Sequence, residues 1–366
     1  MFLRCTSDSK PDGCAARPDW FAREGPVTLP KVRRPATIYD VAAEAGVSHQ
    51  TVSRYLKGFE GIRPTTRERV ARALVDLNYR PNLTARNLAT SSSHRIAALT
   101  SDLLSAGPSQ TLQGLASAAR SDGYLVDIMT IDVNRPSSVS DAVSLLGGQD
   151  LAGVVAIAVS DPVRDMIGRI NLGVPVYLDS GPADLAAPSG PTFNAVGIRL
   201  VMEHLLELGH RDILQLSGPL DWVSARNRAA EFDSVVREHG LRVYPPMSGD
   251  WSAASGYRAI TDHPFDPRVT AVVASNDHMA LGAIHALAEA GISVPGDVSV
   301  TGFDDIHEAS YFLPSLTTVR IDFERQGTFV FEALKAAIAG ETSPDRSSFM
   351  QPQLMVRRST TALSGF

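Results

Sequence analysis

Cysteine is nearly absent from this chain of 366 residues. Its two cysteines, Cys5 and Cys14, both lie close to the N-terminus, so the remainder can form neither a disulfide scaffold nor a zinc site with cysteine ligands. No apolar run reaches the roughly 18 residues that a membrane span requires, and the N-terminus has no hydrophobic segment typical of a secretory signal. These absences predict a cytoplasmic protein rather than a secreted or membrane protein.

Positive charge is scarce over most of the chain and concentrated in one segment. The whole chain has a net charge of −6, yet residues 31–95 contain 12 arginine and lysine residues against 5 acidic ones. A small basic module on a larger acidic body is typical of a protein that binds a polyanion at one end and has a separate task at the other. Residues 1–34 show no periodicity and are predicted to be a disordered N-terminal extension.

The basic segment begins with the pattern of a helix-turn-helix. Thr37 and Asp40 form a capping box that predicts a short first helix, and Gly46 supplies a turn that other residues make only with strain. Ser48 then caps a second helix with the sequence HQTVSRYLK. Two short helices joined by a glycine turn predict a DNA-binding domain.

A third helix is predicted to close the core of this domain. It follows Pro64, and Thr65 and Glu68 have the spacing of a capping box at its start. The apolar series Val70, Leu74 and Leu77 recurs at helical spacing and faces inward.

The start of the second helix carries the side chains that would meet DNA. In a helix-turn-helix these residues enter the major groove, so His49, Gln50 and Arg54 are the candidates for reading base edges. Glutamine pairs with adenine through two hydrogen bonds or donates to guanine, and arginine is the commonest reader of guanine O6 and N7. Hydroxyl side chains are the candidates for phosphate contacts, which position the helix without reading sequence; these are Thr37, Tyr39, Ser48, Thr51 and Ser53.

The segment 82–94 is predicted to be a hinge helix and linker. Asn82 can cap the short stretch LTARNLAT, which is too short to be a stable helix by itself. Arg86 and Leu88 lie within it. If two copies met on DNA, Leu88 would enter the minor groove as a wedge; packing against the third helix is the alternative.

Residues 95–366 alternate between strand-like and helical stretches. Short apolar strands alternating with helices predict parallel sheets covered by helices on both faces. This length is large for one sheet, so we expect two lobes with a ligand at the carboxyl ends of their strands. The strand-like runs are 96–100, 125–131, 153–159, 175–179, 212–217, 271–275 and 298–303.

Polar residues at the strand ends are candidates for a ligand site in this body. Asp179, Asn276 and Asp304 each follow a strand-like run, and carboxylate and amide groups bind neighbouring sugar hydroxyls. Helix capping is the plain alternative for each, and we expect it for Asp277.

Three long segments resemble the LacI family of bacterial transcription regulators: ATIYDVAAEAGVSHQTVSRYL, TRERVARALVDLNYRPNLTARNL and SNDHMALGAIHALAEAGISVPGDVSVTGFDD. The resemblance extends from residue 36 to about residue 358. It implies a homodimer that binds a palindromic operator, with hinge helices that order on the DNA and Leu88 as a wedge at the central step. The body is then a two-lobed, periplasmic-binding-protein-like effector-binding and dimerisation domain.

The same resemblance implies which residues hold the effector. The second arginine of GPLDWVSARNR, Arg228, corresponds to the ligand-gripping position of the family. The other implied positions are Ser101, Asp179, Trp251, Asn276, Asp304 and Phe323. The aromatic at Trp251 favours a disaccharide or a β-galactoside-like inducer, with a β-glucoside as the alternative. The chain ends soon after Arg357 without a heptad tail, which favours a dimer.

Two other classes of protein are weighed against this interpretation. A sugar-binding transport protein would have a similar body but needs a signal sequence and has no use for a helix-turn-helix. A glycoside-acting enzyme is disfavoured because the chain contains no Gly-rich phosphate loop, HExxH or GxSxG motif. We therefore expect no catalytic residue, no metal and no cofactor.

Overall fold

The structure is a computed structural model. It describes residues 34, 36–56, 58–79, 93–132, 135, 137–157, 159–179, 192–262, 264–344 and 351–363. The chain divides near residue 90 into two compact units, which are described separately below. The predicted N-terminal extension and hinge segment fall almost wholly outside the described residues. The disorder of the extension and the helix of the hinge segment therefore stay predictions. The domain boundaries 35–81 and 95–366 also stay predictions.

The first unit contains the predicted three helices, α1 (Ile38–Ala45), α2 (His49–Leu56) and α3 (Pro64–Asp76). Both halves of the capping box form between Thr37 and Asp40, and Gly46 ends α1 with a left-handed φ of 62°. The helices pack around a small apolar core that includes Val41, Val52 and Val70, each fully buried. The capping box, the glycine turn and the three helices are therefore confirmed.

The predicted cap of α3 is wrong. The helix begins at Pro64, its N-cap is Arg63, and no side chain caps it. Proline at the first helical position has a backbone angle already suited to the helix and lacks the amide that would need a cap. The helix therefore starts before Thr65, which places Thr65 in the first turn and Glu68 just beyond it.

The second unit begins with a four-stranded parallel sheet in the order β2-β1-β3-β4. Its central strands are apolar runs buried on both faces, as expected for strands covered by helices on each side. We call this sheet and its helices the first lobe. Its elements are β1 (Arg95–Thr100), α4 (Ala106–Ser121), β2 (Leu125–Thr130), α5 (Ser137–Gly147), β3 (Gly153–Ile157), α6 (Asp161–Gly168) and β4 (Val176–Asp179).

The second lobe is built on another parallel sheet, in the order β6-β5-β7-β8. Phe303 is fully buried in the core of this lobe, and its ring lies against Gly197 of the lobe's first helix. The elements of this lobe are α7 (Phe193–Glu207), β5 (Ile213–Ser217), α8 (Val223–Glu238), β6 (Met247–Ser248), α9 (Ala253–Thr261), β7 (Ala271–Ala274), α10 (Asp277–Glu289), β8 (Ser299–Thr301) and a 3-10 turn (His307–Ser310).

The last helix returns to the first lobe. Strand β9 (Thr318–Arg320) pairs antiparallel with β10 (Gln353–Met355), and α11 (Phe323–Ala339) lies between them in the chain. The helix packs its buried face, including Val330 and Leu334, into the core beneath β1 and β3. Gly114 of α4 permits this close approach, because a Cβ there would lie 1.9 Å from the carbonyl oxygen of Glu324. The two predicted lobes and all seven predicted strands are confirmed.

None of the helices in the described part of the chain is long and apolar enough to cross a membrane.

Candidate DNA-binding surface and effector cleft

The outer face of α2 carries the predicted DNA-reading side chains. His49, Gln50 and Arg54 are exposed, while Val52 between them is fully buried in the core of the unit. The helix therefore presents one polar face that is not needed for packing. Tyr39 is 66% exposed and its ring lies 5.2 Å from that of His49, so the start of α1 borders this face.

The predicted phosphate-contacting hydroxyls also form local hydrogen bonds. Ser48 accepts from the backbone N–H of Thr51, and their two hydroxyls lie 3.0 Å apart. The Thr37 hydroxyl donates to Asp40 at 2.7 Å, which commits its proton to the cap of α1. Ser53 is half-buried beside them.

One contact on this surface was not predicted. The Arg54 guanidinium lies 5.7 Å from the ring centre of Phe59, which is half exposed. A cation over an aromatic ring is attracted to its face, and this limits the orientations of the arginine. The predicted hinge residues Asn82, Arg86 and Leu88 lie outside the described residues.

In the second unit, a cleft lies between the two lobes. It sits at the carboxyl ends of the parallel strands, as predicted for this type of sheet. Both lobes contribute to its walls. Five of the seven predicted effector residues line it: Arg228, Trp251, Asn276, Asp304 and Phe323.

Arg228 is buried at the base of this cleft and held from several directions. Its Nε donates to the side chain of Asn194 at 2.8 Å and one terminal nitrogen donates to the carbonyl of Ser275. Its other terminal nitrogen lies 3.6 Å from Asp304. The guanidinium also lies 3.8 Å from the ring centre of Phe303. The arginine is therefore fixed in place before any ligand arrives.

Burial dominates the electrostatics at this point. It raises the pKa of Asp304 to about 6, against a smaller lowering effect of Arg228. Burial also lowers the pKa of Arg228, although Asp304 and Asp277 both oppose that change. Asp277 is fully buried, and desolvation together with the charge of Asp304 raises its pKa well above the ordinary value. The cleft floor thus holds one cation and one carboxyl group with a raised pKa, and the second such carboxyl group, Asp277, is buried outside the cleft lining.

The prediction that Asp277 caps α10 is wrong, because the neighbouring Asn276 is the cap. Asn276 is the N-cap of α10, because its side-chain oxygen accepts from the backbone N–H of Met279, and its Nδ2 donates to the carbonyl of Trp251. Asp277 lies in the first turn and accepts from Ile306 and Thr318. Asn276 therefore lines the cleft and fixes the Trp251 loop at once.

Two cleft residues have backbone angles that side chains rarely adopt. Trp251 has a φ of 73° and Asp304 a φ of 109°. Left-handed angles in non-glycine residues are uncommon, and they concentrate at functional sites where the surrounding structure holds them. Asp304 is held by a backbone hydrogen bond to Val319, and the Trp251 loop by Asn276.

Of the two remaining predicted residues, Ser101 does not line the cleft, and for Asp179 the prediction is untested. Ser101 follows β1 and is half-buried, but its neighbour Asp102 is the residue that lines the cleft. Asp179 ends β4 in register with Ile157, and its side chain lies outside the described residues.

Trp222 and Asp102 were missed as cleft-lining residues. Asp102 was open to the rule already applied to Asp179, since it is the first acidic residue after a predicted strand. Trp222 could be suspected only from its position, two residues before the Ser-Ala-Arg sequence that begins at Ser224.

The mouth of the cleft is bridged between the lobes. The backbone N–H of Asp161 in the first lobe donates to the carbonyl of Asp221 in the second at 2.9 Å. The carboxylate of Asp161 accepts from Arg226 in α8 at 2.5 and 3.2 Å, and from Arg164 of its own helix at 2.7 Å. These contacts tie the segment before α8 to the first lobe.

Within the described residues no group of three or more His, Cys, Asp or Glu side chains could hold a metal ion.

Two family models match this chain. Residues 37–82 match the model for bacterial regulatory proteins of the lacI family. Residues 202–360 match the model for a periplasmic binding protein-like domain. The two matches fall on the two units that the structure separates.

Known repressors and solved regulators are similar over most of the chain. The lactose operon repressor of Escherichia coli (strain K12) is 34% identical over 336 residues, which span 90% of this chain and 91% of that protein. The transcriptional repressor PurR of Vibrio parahaemolyticus serotype O3:K6 (strain RIMD 2210633) is 30% identical, spanning 90% of this chain and 100% of that one.

Two solved structures show the same similarity in three dimensions. The lac repressor dimer bound to operator and the anti-inducer ONPF is similar with a TM-score of 0.76 and 32% identity, covering 90% of this chain and 100% of that one. The complex of the transcriptional regulator CelR with cellobiose has a TM-score of 0.63 and 30% identity, covering 88% and 99%.

Proposed function

Since this chain belongs to the LacI family of bacterial regulatory proteins and is a DNA-binding transcriptional repressor, we propose that a sugar bound in the cleft releases it from a palindromic operator. Its relatives are regulators, so the chain is not an enzyme. The regulated genes are then those for use of the same sugar. A repressor meets its operator in the bacterial cytoplasm, which is where we expect this protein.

The exposed face of α2 supports the DNA-binding half of the proposal. Gln50 and Arg54 read base edges in the major groove, and the Ser48 and Thr51 hydroxyls contact the phosphates on either side. Leu88, in the hinge segment, acts as the wedge at the centre of the operator.

Exposed apolar residues on the body support a homodimer. Leu104 is 92% exposed, Tyr311 84% and Leu313 93%. We propose that these side chains belong to the apolar patch that a second copy of the chain covers, since such patches mark protein–protein contacts. The lac repressor is a dimer in its complex with operator and ONPF, and two-fold symmetry of the protein would match a palindromic operator.

The observation that carries the effector half is the buried pair of Arg228 and Asp304 at the floor of the cleft. A fixed guanidinium and a carboxyl group bind neighbouring hydroxyls, while the rings of Trp251 and Phe323 supply flat apolar walls. We propose a β-galactoside-like sugar first, because the lac repressor has been solved bound to ONPG, in its repressed state. A β-glucoside is the second candidate, because CelR has been solved with cellobiose.

The proposed switch has two arrangements of the lobes, one of which holds the two hinge segments close enough to bind DNA. The sugar weakens operator binding only by the amount that it prefers the other arrangement. A shift from mostly bound to mostly free needs roughly a 10⁴-fold preference, or about 5.5 kcal/mol. Two subunits that each bind a sugar share that requirement.

The test is fluorescence anisotropy of labelled promoter DNA at one fixed salt concentration, because phosphate contacts make the affinity strongly salt-dependent. Lactose, allolactose, galactose and cellobiose are added in turn. We expect tight binding that one of them releases. Tight binding that no sugar disturbs would contradict the effector half alone, and no specific binding would contradict the DNA half.

A pair of variants assigns the response to the cleft. Arg228→Lys keeps the charge but loses the planar fork, so the sugar response should need a far higher sugar concentration. Arg237→Lys is the matched control, because Arg237 is exposed on the same helix, away from the cleft. A normal sugar response in Arg228→Lys would show that the sugar binds elsewhere.

A further inference from the structure

The cleft contains a second tryptophan beside Trp251. Trp222 lines the cleft, and its ring centre lies 6.0 Å from that of Trp251 at an interplanar angle of 74°. The two rings therefore present faces in nearly perpendicular directions. One flat ligand ring cannot lie on both faces at once.

Core packing does not account for the Trp222 ring. Trp251 packs against the apolar core of the second lobe, whereas Trp222 belongs to none of the apolar clusters found among the described residues. The ring is half-buried. Its ring contacts that of Trp251 edge to face and lines the cleft.

Helix formation does not account for Trp222 either. It is the N-cap of α8, and no side-chain hydrogen bond caps this helix. Ser, Thr, Asp and Asn are strongly preferred at this position, because their oxygens satisfy an otherwise unpaired amide. A residue that breaks a local preference without a packing gain is expected at functional sites.

The two rings occupy different parts of the cleft. Trp251 stands next to the polar floor, since its ring lies 5.5 Å from the Arg228 guanidinium. Trp222 belongs to the segment at the mouth, which Asp221 and Arg226 tie to Asp161 of the first lobe. These ties hold the Trp222 segment in position when the lobes are together.

Building on the sugar response proposed above, we infer that Trp222 forms a separate aromatic subsite for the second ring of a two-ring ligand. The first sugar ring binds at the floor, against Arg228, Asp304 and Trp251. A second sugar or an aromatic aglycone, joined through the glycosidic oxygen, stacks on Trp222. The cleft is therefore selective for disaccharides and aryl glycosides over simple monosaccharides.

The test compares ligands that share the first sugar and differ in the second ring. The first pair is methyl and phenyl β-galactoside, and the second is methyl β-glucoside and cellobiose. Calorimetry gives the dissociation constants for the wild type, Trp222→Ser, Trp222→Phe and Leu220→Ser. Leu220→Ser is the matched control, because Leu220 is exposed in the same loop and does not line the cleft.

We expect the wild type to bind the two-ring member of one pair at least about tenfold more tightly than the methyl glycoside, which corresponds to roughly 1.4 kcal/mol of aromatic contact. Trp222→Ser should reduce this preference to less than about threefold by weakening the two-ring ligand alone, and Trp222→Phe should restore most of it. Leu220→Ser should keep the wild-type preference. Tryptophan fluorescence reports on the same event, since the chain has only Trp20, Trp222 and Trp251.

Three results would overturn the inference. If Trp222→Ser weakens both members of the pair equally, the residue supports the cleft generally and makes no separate subsite. If the wild type binds both members of each pair equally tightly, the cleft has no subsite for a second ring, and this comparison holds even if Trp222→Ser is too unstable to measure. If the wild type binds neither pair, the proposed sugar response fails together with the subsite.

Discussion

Replacing Arg228 by methionine should destabilise the protein more at neutral pH than in mild acid. Arg228→Met keeps an unbranched buried side chain but removes the guanidinium that lies 3.6 Å from Asp304. It also removes the donors to Asn194 and to the Ser275 carbonyl. Losing hydrogen bonds to a charged group costs roughly 1.5–3 kcal/mol each, and this part of the loss does not depend on pH.

The pH-dependent part follows from the carboxyl group of Asp304. Its pKa is about 6 in the folded protein against an ordinary value of 3.8. The folded state therefore binds the proton more readily than the unfolded state, and stability falls as the pH rises from about 4 to about 6, then stays level. At 1.36 kcal/mol per pKa unit, the ionised carboxyl costs the fold about 3 kcal/mol above this window.

Without Arg228 the carboxyl group keeps its proton instead. Keeping that proton bound at about pH 7.5 costs the folded variant roughly 5 kcal/mol, whereas the ionised carboxyl costs the folded wild type about 3 kcal/mol. Through Asp304 alone, the variant is therefore less stable than the wild type by up to about 2 kcal/mol. At about pH 5 the wild-type carboxyl is already mostly protonated, and this extra loss disappears.

The assay is urea unfolding, followed by circular dichroism, at both pH values. The free energy of unfolding is compared between wild type and Arg228→Met, and again in an Asp304→Asn background, which removes the titrating group. With Asp304 present, we expect Arg228→Met to destabilise the protein more at neutral pH than in mild acid, by up to about 2 kcal/mol. In the Asp304→Asn background, we expect the destabilisation to be equal at both pH values. The same pH dependence in both backgrounds would refute the reasoning, because the proton would then be bound by another group.

Three further changes test other parts of the molecule. Arg226→Met removes the ion pair with Asp161 at the cleft mouth. Because both side chains are about a third exposed, we expect the sugar to dissociate only roughly two- to fivefold faster in stopped-flow measurements. An unchanged dissociation rate would show that the ion pair does not hold the lobes together. Thr37→Ala removes the cap of α1 and should lower the stability of the DNA-binding unit by about 1 kcal/mol, measured as a shift in its thermal unfolding. Gln50→Ala should weaken binding to operator by about 1–3 kcal/mol and leave binding to scrambled DNA unchanged; equal losses on both would assign Gln50 to the phosphates.

The architecture could be predicted because its elements leave strong local signals. Buried parallel strands are continuous apolar runs, and a glycine between two short capped helices is a specific sign of a helix-turn-helix. Strands β6, β9 and β10 were not predicted, since two or three residues are too few to show a period. The start of α3 was misplaced because two start signals, Pro64 and the Thr65–Glu68 spacing, compete within one turn.

The cleft residues that follow strands could be predicted from the sequence, whereas those brought together only by the tertiary fold could not. Asn276 and Asp304 directly follow strands, so the sheet places them together. The stacking of Arg228 on Phe303 joins residues far apart in the chain and leaves no local pattern. Trp222 occupies a position where a polar cap is usual, and only the approach of the other lobe shows that its ring faces the cleft.

The central claim is that the cleft and the DNA-binding surface are coupled. Coupling between two ligands is reciprocal, so the factor by which a sugar weakens operator binding must equal the factor by which operator weakens sugar binding. The measurement is the dissociation constant of the releasing sugar by calorimetry, with and without saturating operator at the same salt concentration. We expect operator to weaken sugar binding by the same factor that anisotropy gives for the release. Equal sugar affinity with and without operator would contradict the coupling.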